Sequence, residues 1–290
     1  MSFSQIVAFL KLSNWLKNLL IITPAFFGMQ LLEDNILIET FLGVFGFCLL
    51  ASGIYVINDL FDKSSDQHHP VKKHRPIASG TVSTKAAIII LIILLGWAFS
   101  LATYLNIIVV GLFSTYLTIN IFYSLALKKI PILDLACIGS GFVIRILVGS
   151  VIANIPASPW LLVLTLLMAV FLPLVKRKNE SFVSSSYDLK VRTNASFYGK
   201  LNYKIVLPVY ALIIAGAYFM FSLSEVASQL SDSEFLWVSS FPVAIALLRF
   251  TFISLKKENI QDPIHLILRD VIIVSMLVLW ISILIVLYYY

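Results

Sequence analysis

The chain has 290 residues, 60% of them hydrophobic and only 12% charged. Soluble domains run near half apolar and about a quarter charged, so this composition, with a mean hydropathy of +0.96, excludes an ordinary water-soluble domain and a disordered chain. Two cysteines exclude a disulfide scaffold, and a net charge of +6 leaves a choice between nucleic acid and membrane topology that the placement of the charges decides.

A membrane-spanning helix needs about 20 apolar residues. Nine apolar segments follow along the chain, at 18–32, 37–57, 86–105, 106–126, 132–153, 159–175, 203–223, 235–254 and 270–289. They are apolar all round, which excludes the alternating strands of a barrel. Lys11 and Lys17 precede the first segment with no small-residue cleavage site after it, so it is not read as a signal peptide. With the N-terminus in the cytoplasm, alternation puts loops 58–85, 127–131, 176–202 and 255–269 inside and the C-terminus outside. Of the 21 Lys and Arg residues all but Arg145 then fall on the inside, and the outer loops carry only Glu33, Asp34, Glu39, Glu225, Asp232 and Glu234. This positive-inside pattern accounts for the basic balance and removes the need for a nucleic-acid partner. The expected protein is an all-α, multi-pass domain over 1–290 in the inner (plasma) membrane.

At the start of the first segment stand Asn14, Trp15, Lys17 and Asn18. Trp15 suits a membrane interface, and Lys17 is either a second anchor or a phosphate contact. After the second segment come Asn58-Asp59-Leu60-Phe61-Asp62-Lys63-Ser64-Ser65-Asp66, then His68, His69, Pro70, Lys72, Lys73, His74, Arg75, Pro76 and Gly80. A helix continuing past the membrane puts Asp59, Asp62 and Asp66 on one face, with Asn58 one turn before Asp62. Such carboxylates repel one another unless a cation lies between them. Hard oxygen ligands suit Mg2+, which takes the rest of its shell from water and substrate phosphates, and Lys72, Lys73 and Arg75 match phosphate chemistry. The stretch reads as a magnesium-diphosphate site rather than a solvated loop. His68, His69 and His74 lack zinc-ligand spacing and have no cysteine nearby.

Beyond the fourth segment lie Tyr123, Ser124, Leu127, Lys128, Lys129, Pro131 and Asp134. Asp134 opens an apolar span, where a lone carboxylate is costly. Arg145 projects from the same face about 16 Å further on at 1.5 Å per residue, too far for the two to pair. Both are expected to face a polar cavity, with an ion pair to another helix the alternative for Arg145, and Gly139-Ser140-Gly141 between them allows close approach. The sixth segment closes on Lys176, Arg177, Lys178 and Glu180, with Arg192 and Tyr198 in the loop beyond; on their own these bases read equally well as a stop signal. Cys48 and Cys137 read as packing residues. No internal repeat is convincing.

Asn58-Asp59-x-x-Asp62-x-x-x-Asp66 followed by Arg75-Pro76-x-x-Ser79-Gly80 resembles the first signature of the UbiA-type intramembrane prenyltransferase superfamily. Trp15-x-Lys17-Asn18, Tyr123-Ser124-x-x-Leu127-Lys128-x-x-Pro131-x-x-Asp134, Gly141-Phe142-x-x-Arg145 and Lys176-Arg177-x-x-Glu180 are similar to its polyprenyl-phosphate phosphoribosyltransferase branch, typified by decaprenyl-phosphate phosphoribosyltransferase. The last third matches in hydropathy and in an Asp262-Pro263…Asp270 echo alone. The resemblance implies nine helices around a central cavity, capped by cytoplasmic loops that bind magnesium diphosphate. One departure matters: where prenyl-diphosphate enzymes carry a second Asp-rich motif, this chain has Lys176-Arg177-Lys178-Asn179-Glu180, with Asp188 isolated beyond. Extra positive charge suits the additional 5-phosphate of phosphoribosyl diphosphate.

The expectation is thus a Mg2+-dependent transfer of 5-phosphoribosyl to a polyprenyl phosphate on the cytoplasmic side, feeding cell-envelope glycan synthesis. Asp59, Asp62, Asp66 and Asn58 would hold the metal. Lys17, Lys72, Lys73, Arg75, Lys128, Lys176 and Arg177 are candidate phosphate contacts, and Tyr123, Asp134 and Arg145 further substrate contacts. Self-association stays open. The alternatives are a UbiA-type prenyltransferase with an aromatic acceptor and, less favoured, a transporter, whose polar groups would gather at the midplane on broken, paired helices.

Overall fold

A computed structural model describes residues 3–28, 30–68, 72–187, 194–230, 235–256 and 263–289, and among them all regular structure is helical. His69, Pro70, Asp188, Arg192, Asp232, Glu234 and Asp262, named above, lie outside the described residues, as do Lys190 and Lys257. In chain order the helices are α1 (Phe3–Leu10), a 3-10 helix (Leu12–Ile22), α2 (Thr23–Phe27), α3 (Asp34–Phe61), α4 (Lys63–Gln67), a 3-10 turn (Lys72–His74), α5 (Thr84–Leu105), α6 (Ile107–Leu125) and α7 (Leu133–Ala153). There follow α8 (Pro159–Tyr187), α9 (Ala195–Gly199), α10 (Tyr203–Ser222), α11 (Glu225–Leu230), a 3-10 turn (Leu236–Ser239) that leads directly into α12 (Ser240–Lys256), α13 (Pro263–Arg269) and α14 (Val271–Tyr289).

Among the described residues seven helices are long and apolar enough to cross a membrane, and the apolar part of α14, Val271–Leu287, is somewhat shorter. The protein is therefore a multi-pass helical membrane protein. The first apolar segment of the sequence takes a different form from the others. It is built of the 3-10 helix and α2, because Pro24 brings no N–H to the helical ladder and sits at the start of a new helix. Side chains such as Ile92 and Trp97 of α5, Leu212 of α10 and Val278 of α14 are more than half exposed, an outer surface that is stable only against lipid.

The chain folds into two compact units, one of residues 1–128 with 140–157 and the other of 129–139 with 158–290. In the first, α3 packs on α5, α6 and the 3-10 helix. The α5–α6 hairpin turns at Asn106, whose backbone is extended and whose side chain accepts from Ile108 N–H to cap α6. Its core joins Ile21, Phe47, Leu50, Ala98, Phe113 and Val148. In the second unit, α8, α10, α12 and α14 pack in succession, with the Phe171 ring stacked on Tyr210 and edge-on to Phe250.

Gly149 of α7 lies against the 3-10 helix, where a Cβ would stand 2.0 Å from the Ile21 carbonyl oxygen. Only a residue without a side chain permits that crossing. Gly149→Ala is expected to cost about 1–3 kcal/mol, read as a lower Tm in detergent. Gly111→Ala, with nothing within 4 Å of the added carbon, should leave Tm unchanged or raise it.

Candidate active site

The sequence places three carboxylates at the end of the long helix, and in the structure each meets a base. α3 ends at Phe61 and α4 begins at Lys63 with Asp62 at the junction, and the bonds from Asp62 N–H to the Asn58 carbonyl and from Asp66 N–H to the Asp62 carbonyl carry the helical turn across it. Asp59 and Asp66 still come to one side, and Arg75 spans them with Nη1 at 3.2 Å from Asp59 Oδ1 and 2.7 Å from Asp66 Oδ2. Asp62 accepts from Lys128 Nζ at 2.6 Å through Oδ1, and from Asn58 Nδ2 at 3.3 Å through Oδ2. Ser124 Oγ donates to Asn58 Oδ1 at 3.2 Å. The ends of α3 and α6 and the loop before α5 are thereby gathered at one end of the first unit. Asp59 and Asp66 are both buried, where an unpaired charge would be costly.

A third base belongs to the cluster, one that the sequence suggested only as a topological lysine. Lys11 Nζ is 2.8 Å from Asp59 Oδ1 and 4.8 Å from the Tyr55 ring centroid. It links α1 to the 3-10 helix with φ +50°, the left-handed region that a lysine rarely adopts. Burial pulls its ammonium below the ordinary lysine range, and the Asp59 carboxylate works against that pull. Nothing in its local sequence signals this role, since its partner lies 48 residues away.

The other sequence candidates of this unit are spread more widely. Lys73 is exposed, while Lys17, Lys72 and Tyr123 are half-buried. Arg145 is buried deep in the unit without a carboxylate among the described residues. Its Nε donates to Asn18 Oδ1 at 2.8 Å, Nη1 to the Gly141 carbonyl at 2.6 Å and Nη2 to the Tyr116 hydroxyl at 3.1 Å. The rings of Phe47, Tyr116 and Phe142 lie 4.8, 5.2 and 5.4 Å from its Cζ. Neutral dipoles and π-faces thus stabilise this cation, in place of an ion pair with another helix. Asn18, buried at the end of Trp15-x-Lys17-Asn18, is the residue that ties the 3-10 helix to α7.

The second unit holds its own ionic cluster. Asp134, fully buried, accepts from Arg177 Nε at 2.9 Å, Asn194 Nδ2 at 3.1 Å and the Tyr198 hydroxyl at 2.5 Å. Arg177 also reaches Glu180 at 2.6 Å. Ile132, just before α7, has φ +69°, and its N–H donates to the same Tyr198 hydroxyl. Burial first, and then the hydrogen bond to Asp134, push the Tyr198 phenol up to about 12. Lys176 beside this network is exposed, and Lys178 Nζ caps the end of α12 through the Ser254 carbonyl at 2.6 Å. Asp134 and Arg177, read separately from the sequence as substrate contacts, are thus each other's counter-charge.

Among the described residues no three His, Cys, Asp or Glu side chains converge closely enough to hold a metal as they stand, because bases lie between the acids. The donor chemistry nevertheless fits a hard divalent cation. Asp59 Oδ2 and Asp66 Oδ1 accept no hydrogen bond among the described residues, and Asp62 and Asn58 add further oxygens at the same helix end.

The profile of the UbiA prenyltransferase family matches residues 21–267. This chain belongs to that family. Among curated relatives, the Sinorhizobium fredii protein y4nM is 29% identical over 90% of this chain, which spans only 51% of that protein's length. Decaprenyl-phosphate phosphoribosyltransferase of Mycolicibacterium smegmatis is 26% identical over 93% of this chain and 87% of its own. Among solved structures, a UbiA homolog from Archaeoglobus fulgidus bound to DMAPP and Mg2+ superposes with a TM-score of 0.72 at 19% identity, covering 97% of this chain and 99% of that one. The helical arrangement is therefore the UbiA fold, and the chain is a transferase-family membrane protein.

Arg177→Met would leave Asp134 buried without its counter-charge and is expected to cost about 3–5 kcal/mol. The Asp134→Asn/Arg177→Met double variant should lose less Tm than the two single losses together. Because the folded state holds the Tyr198 proton above the ordinary tyrosine value of 10.0, this group's contribution is fully present below about pH 10 and fades as pH rises toward about 12. Thermal unfolding should therefore fall less steeply over that window in Tyr198→Phe than in the native protein.

Proposed function

We propose that the protein transfers a 5-phosphoribosyl group from phosphoribosyl diphosphate to a polyprenyl phosphate, releasing diphosphate. The observation that carries this reading is the cluster at the end of α3, three carboxylates and three bases drawn from four separate stretches of the first unit. The name of the Mycolicibacterium smegmatis relative supports the choice of donor and acceptor. So does the basic run Lys176-Arg177-Lys178 at the position where a second acidic motif would serve a prenyl diphosphate.

In this reading Asp59, Asp62, Asp66 and Asn58 hold Mg2+. Bound there, the metal supplies Lewis-acid neutralisation of the leaving diphosphate. Lys17, Lys72, Lys73, Arg75 and Lys128 donate to phosphate oxygens, and that fixed positive charge favours the transition state in which the ribose C1–O bond lengthens. Lys176, Arg177, Tyr123, Asp134 and Arg145 stay candidate substrate contacts. The acceptor is already an anion at neutral pH, so its oxygen attacks C1 without a general base. The bond to diphosphate breaks, and the product is a lipid-linked ribose 5-phosphate, suited to cell-envelope glycan assembly. The reading includes nine membrane crossings, with the Leu12–Phe27 stretch and α14 completing the set of seven. It also places the N-terminus and the acidic cluster on the cytoplasmic side of the plasma membrane and the C-terminus outside.

The test is an assay of the purified protein with polyprenyl phosphate, radiolabelled phosphoribosyl diphosphate and Mg2+. Label should move into the lipid phase, vanish with chelator, and fall roughly 100-fold or more in Asp62→Ala, on the order of 3 kcal/mol. No transfer, while dimethylallyl or a longer prenyl diphosphate reacts with an aromatic acid, would replace this reading with that of a prenyltransferase.

A further inference from the structure

The acids of the first-unit cluster are already neutralised by the chain's own bases. Asp59 is the extreme case, because one oxygen, Oδ1, receives both Lys11 and Arg75 while Oδ2 has no protein partner among the described residues. Lys11 is held there against two costs. Its backbone takes a left-handed conformation, which for a residue other than glycine is maintained only where the surroundings over-determine it, and such residues collect at functional sites. Its side chain is mostly buried, with 20% of its surface exposed, beside a carboxylate with 3% exposed. A lysine that served only to mark the cytoplasmic side would snorkel to water. This one points at an acid of the motif, on an element that the motif does not include.

We propose that Lys11 is a phosphate-contacting residue kept in reserve by Asp59, so that a divalent cation taking Asp59 releases the Lys11 ammonium to the diphosphate, and metal and diphosphate bind cooperatively. The inference rests on the preceding reading of the cluster as a metal-diphosphate site. The physical logic is an exchange of partners. A divalent cation alone must draw Asp59 away from an ammonium and a guanidinium, and it leaves the mostly buried Lys11 without its counter-charge. Diphosphate alone must compete with the carboxylate for the same bases and leave that carboxylate uncompensated. When both arrive, every charge regains a partner: carboxylate on metal, base on phosphate. Single-ligand binding is penalised and joint binding is not, which is a coupling free energy between the two ligands. Lys11 contributes to it most directly, since among the described residues its ammonium has the Asp59 carboxylate as its one ion-pair partner, whereas Arg75 is shared between Asp59 and Asp66.

The test is isothermal titration of the full-length protein in detergent with inorganic diphosphate, with Mg2+, and with each in the presence of the other. The native protein should bind diphosphate at least about tenfold more tightly when Mg2+ is saturating, within the usual range of such couplings. In Lys11→Met the affinity for Mg2+ alone should rise, because a competitor for Asp59 is gone. Its affinity for diphosphate with Mg2+ present should fall roughly tenfold, and Lys11→Arg should recover most of that loss. Asp59→Asn frees the base and should bind diphosphate without Mg2+ more tightly than the native protein does, a gain that damage to folding cannot mimic. A lowered Tm in Lys11→Met with native affinities for both ligands, or an Asp59→Asn variant no better than native at binding metal-free diphosphate, would overturn the proposal and leave Lys11 a structural residue. Native protein that binds diphosphate under neither condition would instead remove the metal-diphosphate reading itself.

Discussion

A carboxylate or an ammonium at the edge of hydrocarbon has too little water to solvate it, and most of the polar architecture of this protein answers that constraint. The buried acids of the first unit, Asp59 and Asp66, each have a cation within 3.2 Å or less. The fully buried acid of the second unit, Asp134, has Arg177 and two neutral donors besides. Arg145 is stabilised by another route, with an amide, a carbonyl, a phenol and three aromatic faces in place of a carboxylate. The helices are placed so that these partners meet. The end of α3 lies beside that of α6, the loop before α5 folds back under α4, and α1 turns in at Lys11.

The two ionic clusters differ in a way that bears on what each can do. The network around Asp134 pairs its acid with a base, an amide N–H and a phenol, and the phenol is shifted so that its proton is retained. Such a network orders the start of α7 against α8 and the segment before α9. The cluster around Asp59, Asp62 and Asp66 is satisfied in charge, but Asp59 Oδ2 and Asp66 Oδ1 accept no hydrogen bond among the described residues, and its bases are long side chains. An arrangement of that kind is stable without ligand and is also able to exchange partners when ligand arrives. Fixed positive charge beside hard oxygen donors is what a leaving diphosphate requires.

Much of the plan was readable in the linear chain. Segments 37–57, 86–105, 106–126, 132–153, 159–175, 203–223 and 235–254 each correspond to a helix long enough to cross a membrane, because burial in lipid selects for apolar length more than for any pattern. The acidic motif was legible from its spacing, and the family from the same residues. The first apolar segment was legible in composition but not in form: Pro24 divides it, and the 3-10 geometry before it lets the chain backbone meet Gly149. The helical turn that carries the acids past Phe61 was legible from periodicity, but the pairing of Asp62 with Lys128 was not.

Sequence by itself determined the class of the protein, its membrane helices, its family and the acids at the centre of the candidate site, since apolar length and the i, i+3, i+7 spacing are local properties. Tertiary structure alone decided the pairings. Lys11 with Asp59, Lys128 with Asp62, Arg177 with Asp134 and Arg145 with Asn18 join residues 43 to 127 positions apart. No local rule relates side chains so distant; they meet because buried charge must be compensated by whichever group the packed helices bring within reach.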